Sequence, residues 1–600
     1  MKVNLAFWRA PENQPAWSRP ALLVVAAASA VLYGWQATGN LEIFYAAGVR
    51  SMSMNWHNFF FAAFDPKATV TLDKLPGAFW VQAMFARVLG FHPWTIVAPQ
   101  VIEGTLAVLI IHRPVRRLAG PVAAITAAVV LALSPATVAL NRGNISDTLM
   151  ILLLVLAADA TVAAVTTGRA WNLLVAGVWV GLAFQAKMVE AWLVLPALAI
   201  TYLLVARGTW QRKGLTLAGL GLATAVVSLS WMTVVTLLPA SGRPYVDGST
   251  NDSVYQQVFV YNGFGRLDQP SPNQLLNQAI GLNLAVSGSP AWNRFLTGPY
   301  GRDIGWLIPP SLIILVAGLI ARRKRPRDDL VRAAFVLWGT WLVVFLVALS
   351  ASSNINPYYA AVLSPGIAGV IGTGAGLAWA QRRNRIVPLL TAGVILVTAG
   401  YAAWLLPAEG TGLPGWLYPL VIVLGLASLP FVVRPSARER GLGFLLIPLV
   451  AILVVPAVAS VSLVTKRLGP FDTPFEPKAV NAGTRQLIAT TLGASRLVTT
   501  LERARFGAPD LMATQTSALA SPFIYATGQE VVPIGGYTGT IPAPTLARLR
   551  SMIAAGDFHL VLQTRTATDS RLVWVAQHCV RLPQAAQNPT QFVSYFCGSP

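Results

Sequence analysis

The sequence predicts a polytopic α-helical membrane protein of about 13 spans, with a small C-terminal α/β domain outside the membrane. Three observations predict it. Of 600 residues, 55% are apolar and only 11% are charged, where a soluble domain carries roughly 25% charge. The apolar residues come in blocks of about 17–24, the length of helix that crosses about 30 Å of hydrocarbon. The net charge is +21, and its basic residues crowd short loops between those blocks, as they do in cytoplasmic loops.

The first block follows Lys2, Arg9 and Arg19. Its length, with no small-residue cleavage site behind it, favours a retained helix over a signal peptide. Spans are expected near 20–38, 95–112, 119–139, 147–166, 171–187, 189–206, 215–238, 304–321, 331–350, 357–378, 386–406, 416–433 and 441–465. Starting from a cytoplasmic N-terminus, the clusters Arg113/Arg116/Arg117, Arg207/Arg212/Lys213, Arg322–Arg327, Arg382–Arg385 and Arg434/Arg438/Arg440 all fall inside. The polar segments 39–94, 239–303 and 466–600 all fall outside. This arrangement accounts for the basic charge without nucleic acid, which is not expected as a partner.

Within the loop 39–94, the aromatic stretch 42–64 reads as amphipathic helices lying in the membrane interface. A second helix is expected over Gly77–Leu89, started by Pro76. The loop 239–303, rich in Gly, Asn, Ser and Pro, reads as irregular binding-type structure. After a transmembrane unit of residues 1–465, the tail 466–600 mixes helix-like stretches (480–492, 543–555) with β-like runs (Val531–Ile534, Leu560–Leu562). Cys579 and Cys597 are the only cysteines, and on an outer face they suggest one disulfide; two unpaired thiols are the alternative.

No phosphate-binding Gly loop, dinucleotide fingerprint, Cys/His metal set or nucleophile elbow occurs. No cofactor and no divalent metal are expected. Ionisable residues stand instead at the outer ends of spans: Glu42, Asp65, Asp73 with Lys74, Arg142, Asp147, Lys187 and Glu190. Each can be a solvated helix-end charge, and Asp147 also suits a helix N-terminus. Together they offer carboxylates for acid–base work beside cations for a phosphate.

At these residues the chain resembles the GT-C membrane glycosyltransferases. The likeness is to the family-39-like enzymes related to protein O-mannosyltransferases and the lipid A aminoarabinose transferase. It is nearest to an actinobacterial-type branch with a C-terminal extracytoplasmic domain. The segments that carry it are Phe44-Tyr45-Ala46-Ala47, Phe64-Asp65-Pro66, Asp73-Lys74-Leu75-Pro76, Asn144-Ile145-Ser146-Asp147 and Phe184-Gln185-Ala186-Lys187-Met188. Further along are Tyr261-Asn262-Gly263-Phe264-Gly265-Arg266-Leu267, Asn356-Pro357-Tyr358-Tyr359 and Gly535-Gly536-Tyr537-Thr538-Gly539.

The resemblance implies transfer of a sugar from a polyprenyl-phosphate donor to a cell-envelope acceptor (glycan, lipid or protein) on the outer face of the plasma membrane. It implies that Lys74, Lys187 and Arg266, with Arg142 beside them, meet the donor phosphate. Asp73 and Asp147 are the implied active-site carboxylates. Many relatives carry Asp-Glu after the first helix where this chain has Leu41-Glu42, so the base is Glu42 or Asp73. Tyr358, Tyr359, Gly536 and Tyr537 are candidates for sugar or acceptor contact, although Gly535–Gly539 can equally be a turn in a cap over the outer loops. Two other readings compete: a lipid-linked sugar transporter or flippase, and a non-catalytic protein that binds such a lipid. The scarcity of charge inside the spans and the one-sided loops disfavour the transporter.

Overall fold

A computed structural model describes residues 8–12, 14–267, 269–280, 289–353, 355–407, 412–434, 441, 443–471, 497–583 and 592–598. Among them, ten helical segments are long and apolar enough to cross a membrane, and Leu417–Val433 is a shorter apolar helix. Two of the ten each hold two of the expected spans. Pro93–Ala132 is interrupted at Gly120, whose φ of 89° and ψ of 177° are not helical. Trp171–Lys187 ends at Met188, and a 3-10 turn over Met188–Val194 leads into Leu195–Val205. The expected spans map onto these segments in order, with the breaks at or next to the expected boundaries.

Local signals fix several helix starts. Thr209 and Asp329 cap Trp210–Leu237 and Leu330–Ala351 by accepting from the amides of Arg212 and Arg332. The helix Ser364–Ala380 carries a face of small residues. A Cβ on its Gly369 would sit 2.1 Å from Trp338, and one on Gly372 2.5 Å from the Ala123 carbonyl oxygen. Such close approach is how helices pack in lipid, where apolar burial alone drives little association. Asp159, a rare acid within a span, is paired with Arg113 at 3.1 Å and Arg117 at 2.9 Å.

The loop 39–94 holds helices Ile43–Met54, Trp56–Phe61 and Gly77–Leu89, the last starting after Pro76 as expected. The aromatic stretch departs from the interfacial expectation. Phe44, Tyr45, Phe61 and Phe64 are buried, while Trp56 is exposed. The reason is a third surface: Ile43–Met54 packs between Gly77–Leu89 and the C-terminal helix Ser517–Thr527. In the loop 239–303, the π-helical turn Gln256–Tyr261, the 3-10 turn Phe264–Arg266 and helix Pro272–Ile280 stand among irregular backbone.

The C-terminal unit is a five-stranded mixed sheet: β1 Met512–Thr514, β2 Val531–Pro533, β3 Leu560–Thr564, β4 Val580–Arg581 and β5 Phe592–Phe596, in the order β2-β1-β3-β5-β4. β1 is parallel to β2 and β3, and β5 is antiparallel to β3 and β4. Helices Ser517–Thr527, Leu546–Ala555 and Ser570–His578 connect the strands. The register opposes Val580 to Phe596, which sets Cys579 and Cys597 next to each other, and they form a disulfide with Cα atoms 4.6 Å apart. The expected helix 480–492 lies outside the described residues.

Polar contacts dock this unit onto the first loop. Lys67 Nζ meets Asp510 Oδ1 at 2.5 Å, and the Lys67 amide donates to Glu530 Oε2 at 2.7 Å. The Arg50 guanidinium donates to the Tyr525 carbonyl.

Candidate functional site

Two distant segments are packed together first. Gly77 lies so close to Gln185 that a Cβ would stand 2.6 Å from that residue's carbonyl carbon and oxygen. This contact sets Asp73-Lys74 against the end of the helix that finishes at Lys187. Lys187 Nζ lies 2.6 Å from Asp147 Oδ2, and both side chains are buried. The same Nζ stands 4.8 Å and 4.1 Å from the ring centres of Tyr358 and Tyr359, within cation–π range. The next residue, Met188, has φ 60°, a left-handed value that a β-carbon makes costly. Local strain of this kind persists where the surroundings impose it.

Lys74 Nζ lies 3.5 Å from Asp73 Oδ2 and 5.7 Å from the Tyr45 ring centre. The Asp73 carbonyl accepts from Asn262 Nδ2 at 2.7 Å, and Asn262 Oδ1 accepts from Arg266 Nη2 at 3.0 Å. The Arg266 carbonyl accepts from the hydroxyls of Ser352 and Ser353 at 3.1 and 2.8 Å. The irregular loop is thereby held between the first loop and the end of Leu330–Ala351. Lys74, Lys187 and Arg266 all act electrostatically on Glu190 and Tyr359, so the three cations share one pocket.

Glu42 sits at its rim. Its amide donates to Asn144 Oδ1 at 2.7 Å, and its carbonyl accepts from Asn144 Nδ2 at 3.1 Å, which ties it to the turn before Asp147. Burial pushes its carboxyl up to about 7; the Phe44 amide and Lys74 oppose the rise, and Asp73 adds to it. Asp247 is pushed up to about 7 by burial and by Asp73, although it accepts from the Tyr537 amide at 2.8 Å. The Tyr537 ring packs 4.5 Å from that of Phe44. The loop Gly535–Gly539 of the C-terminal unit therefore forms one wall of the pocket.

Gly536 has φ +66°, and a Cβ on it would stand 2.5 Å from Asp247 Oδ1. Gly536→Ala is expected to displace the Tyr537–Asp247 contact at a cost of about 1–2 kcal/mol from backbone conformation alone. A thermal melt of the purified protein would show a lower midpoint; an unchanged melt would mean the loop does not depend on this contact.

Asp73 Oδ1, Asp147 Oδ1, Glu190 Oε1 and Tyr261 Oη are buried without a hydrogen-bond partner among the described residues. Buried polar atoms are nearly always paired, so their spare capacity at one pocket marks a polar ligand site. Among the described residues, no group of three or more His, Cys, Asp or Glu is arranged to hold a metal ion.

The structure thus brings together Glu42, Asp73, Lys74, Asp147, Lys187, Arg266, Tyr358, Tyr359, Gly536 and Tyr537. It leaves Arg142 out. That guanidinium is fully buried and donates to the carbonyls of Leu32, Trp35 and Leu468 at 2.8–3.0 Å. It ties the first helix to the segment after the last span, so three of its hydrogen bonds serve the fold where a phosphate role was expected, while Nη2 has no partner among the described residues. Arg142→Ala is expected to destabilise the fold by about 1.5–3 kcal/mol for each charged hydrogen bond lost and so lower the melting midpoint, while a correctly folded fraction still binds donor. A variant as stable as wild type would overturn the clamp.

The pocket also contains residues to which sequence reasoning gave no individual role. Asn262 and Tyr261 lay inside a resembling segment without a role. Glu190 was visible only as one more boundary charge. Asp247 gave no signal beyond an acid before Gly248 in a polar loop.

Comparison with known proteins finds matches along most of the chain. A family model described as dolichyl-phosphate-mannose-protein mannosyltransferase matches residues 73–231, which carry Asp73, Lys74, Asp147 and Lys187. A second, described as "Putative mannosyltransferase YkcB-like, C-terminal", matches residues 497–578. "Putative mannosyltransferase YycA" of Bacillus subtilis (strain 168) is 28% identical, covering 93% of each chain. "Putative mannosyltransferase YkcB" of the same organism is 27% identical, covering 93% of this chain and 90% of its own. ArnT from Cupriavidus metallidurans, solved bound to undecaprenyl phosphate, superposes with a TM-score of 0.55 at 15% identity, covering 96% of this chain and 97% of its own. The chain thus shares the membrane fold of ArnT and is similar in sequence, over nearly its whole length, to putative mannosyltransferases.

Proposed function

We propose that this protein transfers a sugar from a polyprenyl-phosphate-linked donor to a cell-envelope acceptor on the extracytoplasmic face of the plasma membrane. The N-terminus is cytoplasmic and the C-terminal unit extracytoplasmic in this reading, in line with the basic loops. The observation that carries it is the convergence of Lys74, Lys187 and Arg266 with Glu42, Asp73 and Asp147 in one pocket at a single end of the spans. A lipid-linked donor keeps its tail in the bilayer and its phosphate at that level. The match to ArnT, solved with undecaprenyl phosphate, supports this donor class.

The chemistry follows from the charges. The acceptor hydroxyl attacks the anomeric carbon while the carbon–oxygen bond to the donor phosphate breaks. Glu42 takes the hydroxyl proton, and its carboxyl near 7 suits a base at neutral pH. Polyprenyl phosphate leaves with its negative charge met by Lys74, Lys187 and Arg266. Asp147 holds Lys187 in place. Attack opposite the leaving phosphate inverts the anomeric centre. The cations supply the charge stabilisation, so the transfer is proposed to be independent of divalent metal, and a chelator should leave the rate unchanged.

The test uses purified protein in lipid with a panel of polyprenyl-phosphate sugars, comparing wild type with Lys74→Ala and Arg266→Ala. Hydrolysis or transfer from one donor, lost in both variants, is the expected result. Binding without turnover would favour a non-catalytic lipid-sugar binder. No binding and no turnover with any donor would return the transporter reading.

A further inference from the structure

The ends of the helices remote from the pocket carry a second feature. Helices Ile308–Arg322, Ser364–Ala380, Ile386–Leu405 and Gly443–Thr465 border a half-open groove. Its walls are nearly all apolar, with Ile314, Ala317, Ile371, Ala375, Leu390 and Leu449 among them. Tyr358 and Tyr359 enter the spanning segment Pro357–Ala380 at the pocket end, whereas Ala378 and Gln381 line the groove at the other. Some twenty helical residues separate the two, about 30 Å along the axis. The groove is thus not part of the site described above.

What borders the groove decides its occupant. Its lining residues Ala321 and Gln381 are followed directly by Arg322-Arg323-Lys324-Arg325 and Arg382-Arg383. The segments 322–329 and 382–385 hold eight basic residues against Asp328 and Asp329. Arg322 is occupied by Asp329, and Asp328 faces Arg207 at 3.1 Å. Arg382 is pinned over the Trp379 ring at 4.4 Å. Arg323, Lys324, Arg325, Arg383 and Arg385 are exposed. An apolar slot within the membrane thickness, opening beside a cluster of cations, fits one long apolar chain with an anionic head.

We infer that this groove binds an anionic phospholipid of the leaflet opposite the pocket, with an acyl chain along Ala317 and Ala375 and the phosphate headgroup against Arg323, Arg383 and Arg385. The groove is unassigned by the transfer chemistry and does not depend on it.

The experiment is native mass spectrometry of the full chain with equimolar phosphatidylglycerol and phosphatidylcholine of identical acyl chains. Wild type should retain phosphatidylglycerol about tenfold over phosphatidylcholine. Arg323→Gln with Arg383→Gln and Arg385→Gln, all exposed positions that do not test folding, should bring that ratio near one. Ala317→Leu with Ala375→Leu should fill the slot and remove the retained lipid, with a thermal melt confirming that the variant is folded. A wild-type ratio near one, or retention unchanged by the paired leucines in a folded variant, would overturn the site. Displacement of phosphatidylglycerol by undecaprenyl phosphate would reassign the groove to the polyprenyl lipid and overturn the phospholipid assignment.

Discussion

Lys187→Ala should abolish donor turnover and also weaken the fold, and the two losses can be separated. The ammonium is buried against Asp147 at 2.6 Å. Removing it strands a buried carboxylate, which costs about 3–5 kcal/mol. On the proposed mechanism it also removes one of the three cations that meet the departing phosphate, a loss of about 10²–10³ in turnover. The double change Lys187→Met with Asp147→Asn takes away both charges, so the stranded carboxylate is gone and the melting midpoint should recover much of its loss. Turnover should not recover. If the double variant regains both, the pair is a structural ion pair and the phosphate is held by Lys74 and Arg266 alone.

The spans were legible because bilayer solvent imposes long apolar blocks. Even the breaks at Gly120 and Met188 fell where the pattern changed. The helix Gly77–Leu89 was legible from Pro76. What the sequence hid depends on contacts between distant segments. The stretch 42–64 has the aromatic composition of an interfacial helix, and only the docking of Ser517–Thr527 onto it buries Phe44 and Tyr45. Arg142 looked like the other boundary cations; its three carbonyl partners come from residues 32, 35 and 468, a set no local pattern announces. Asp247 enters the pocket because the Tyr537 amide meets it, a pairing across 290 residues. Lys74, Lys187 and Arg266 were recognisable as candidates from resembling segments, but their convergence follows from Gly77 packing on Gln185 and Asn262 bridging Asp73 to Arg266.

The base is the assignment with the sharpest solution signature. Glu42 is held up to about 7, first by burial and then by Asp73. A base acts in its ionised form, so kcat/KM should rise with pH through about 7 and level off above it. An ordinary exposed Glu would place that rise near 4.3. Glu42→Gln should lower turnover by about 10²–10⁴ and leave the residual rate flat across this range. Asp247 is also raised to about 7, so Asp247→Asn serves as the control: the limb should persist if Glu42 is the base and vanish if Asp247 is. Asp73→Asn separates the remaining candidate. Its charge raises Glu42, so its loss should move the limb to lower pH while some activity remains. If Asp73 is itself the base, Asp73→Asn loses the activity instead. A wild-type profile flat from pH 5 to 8 would exclude Glu42 and Asp247 together, and loss of turnover in Asp73→Asn would then assign the proton to Asp73, whose Oδ1 is free in the pocket.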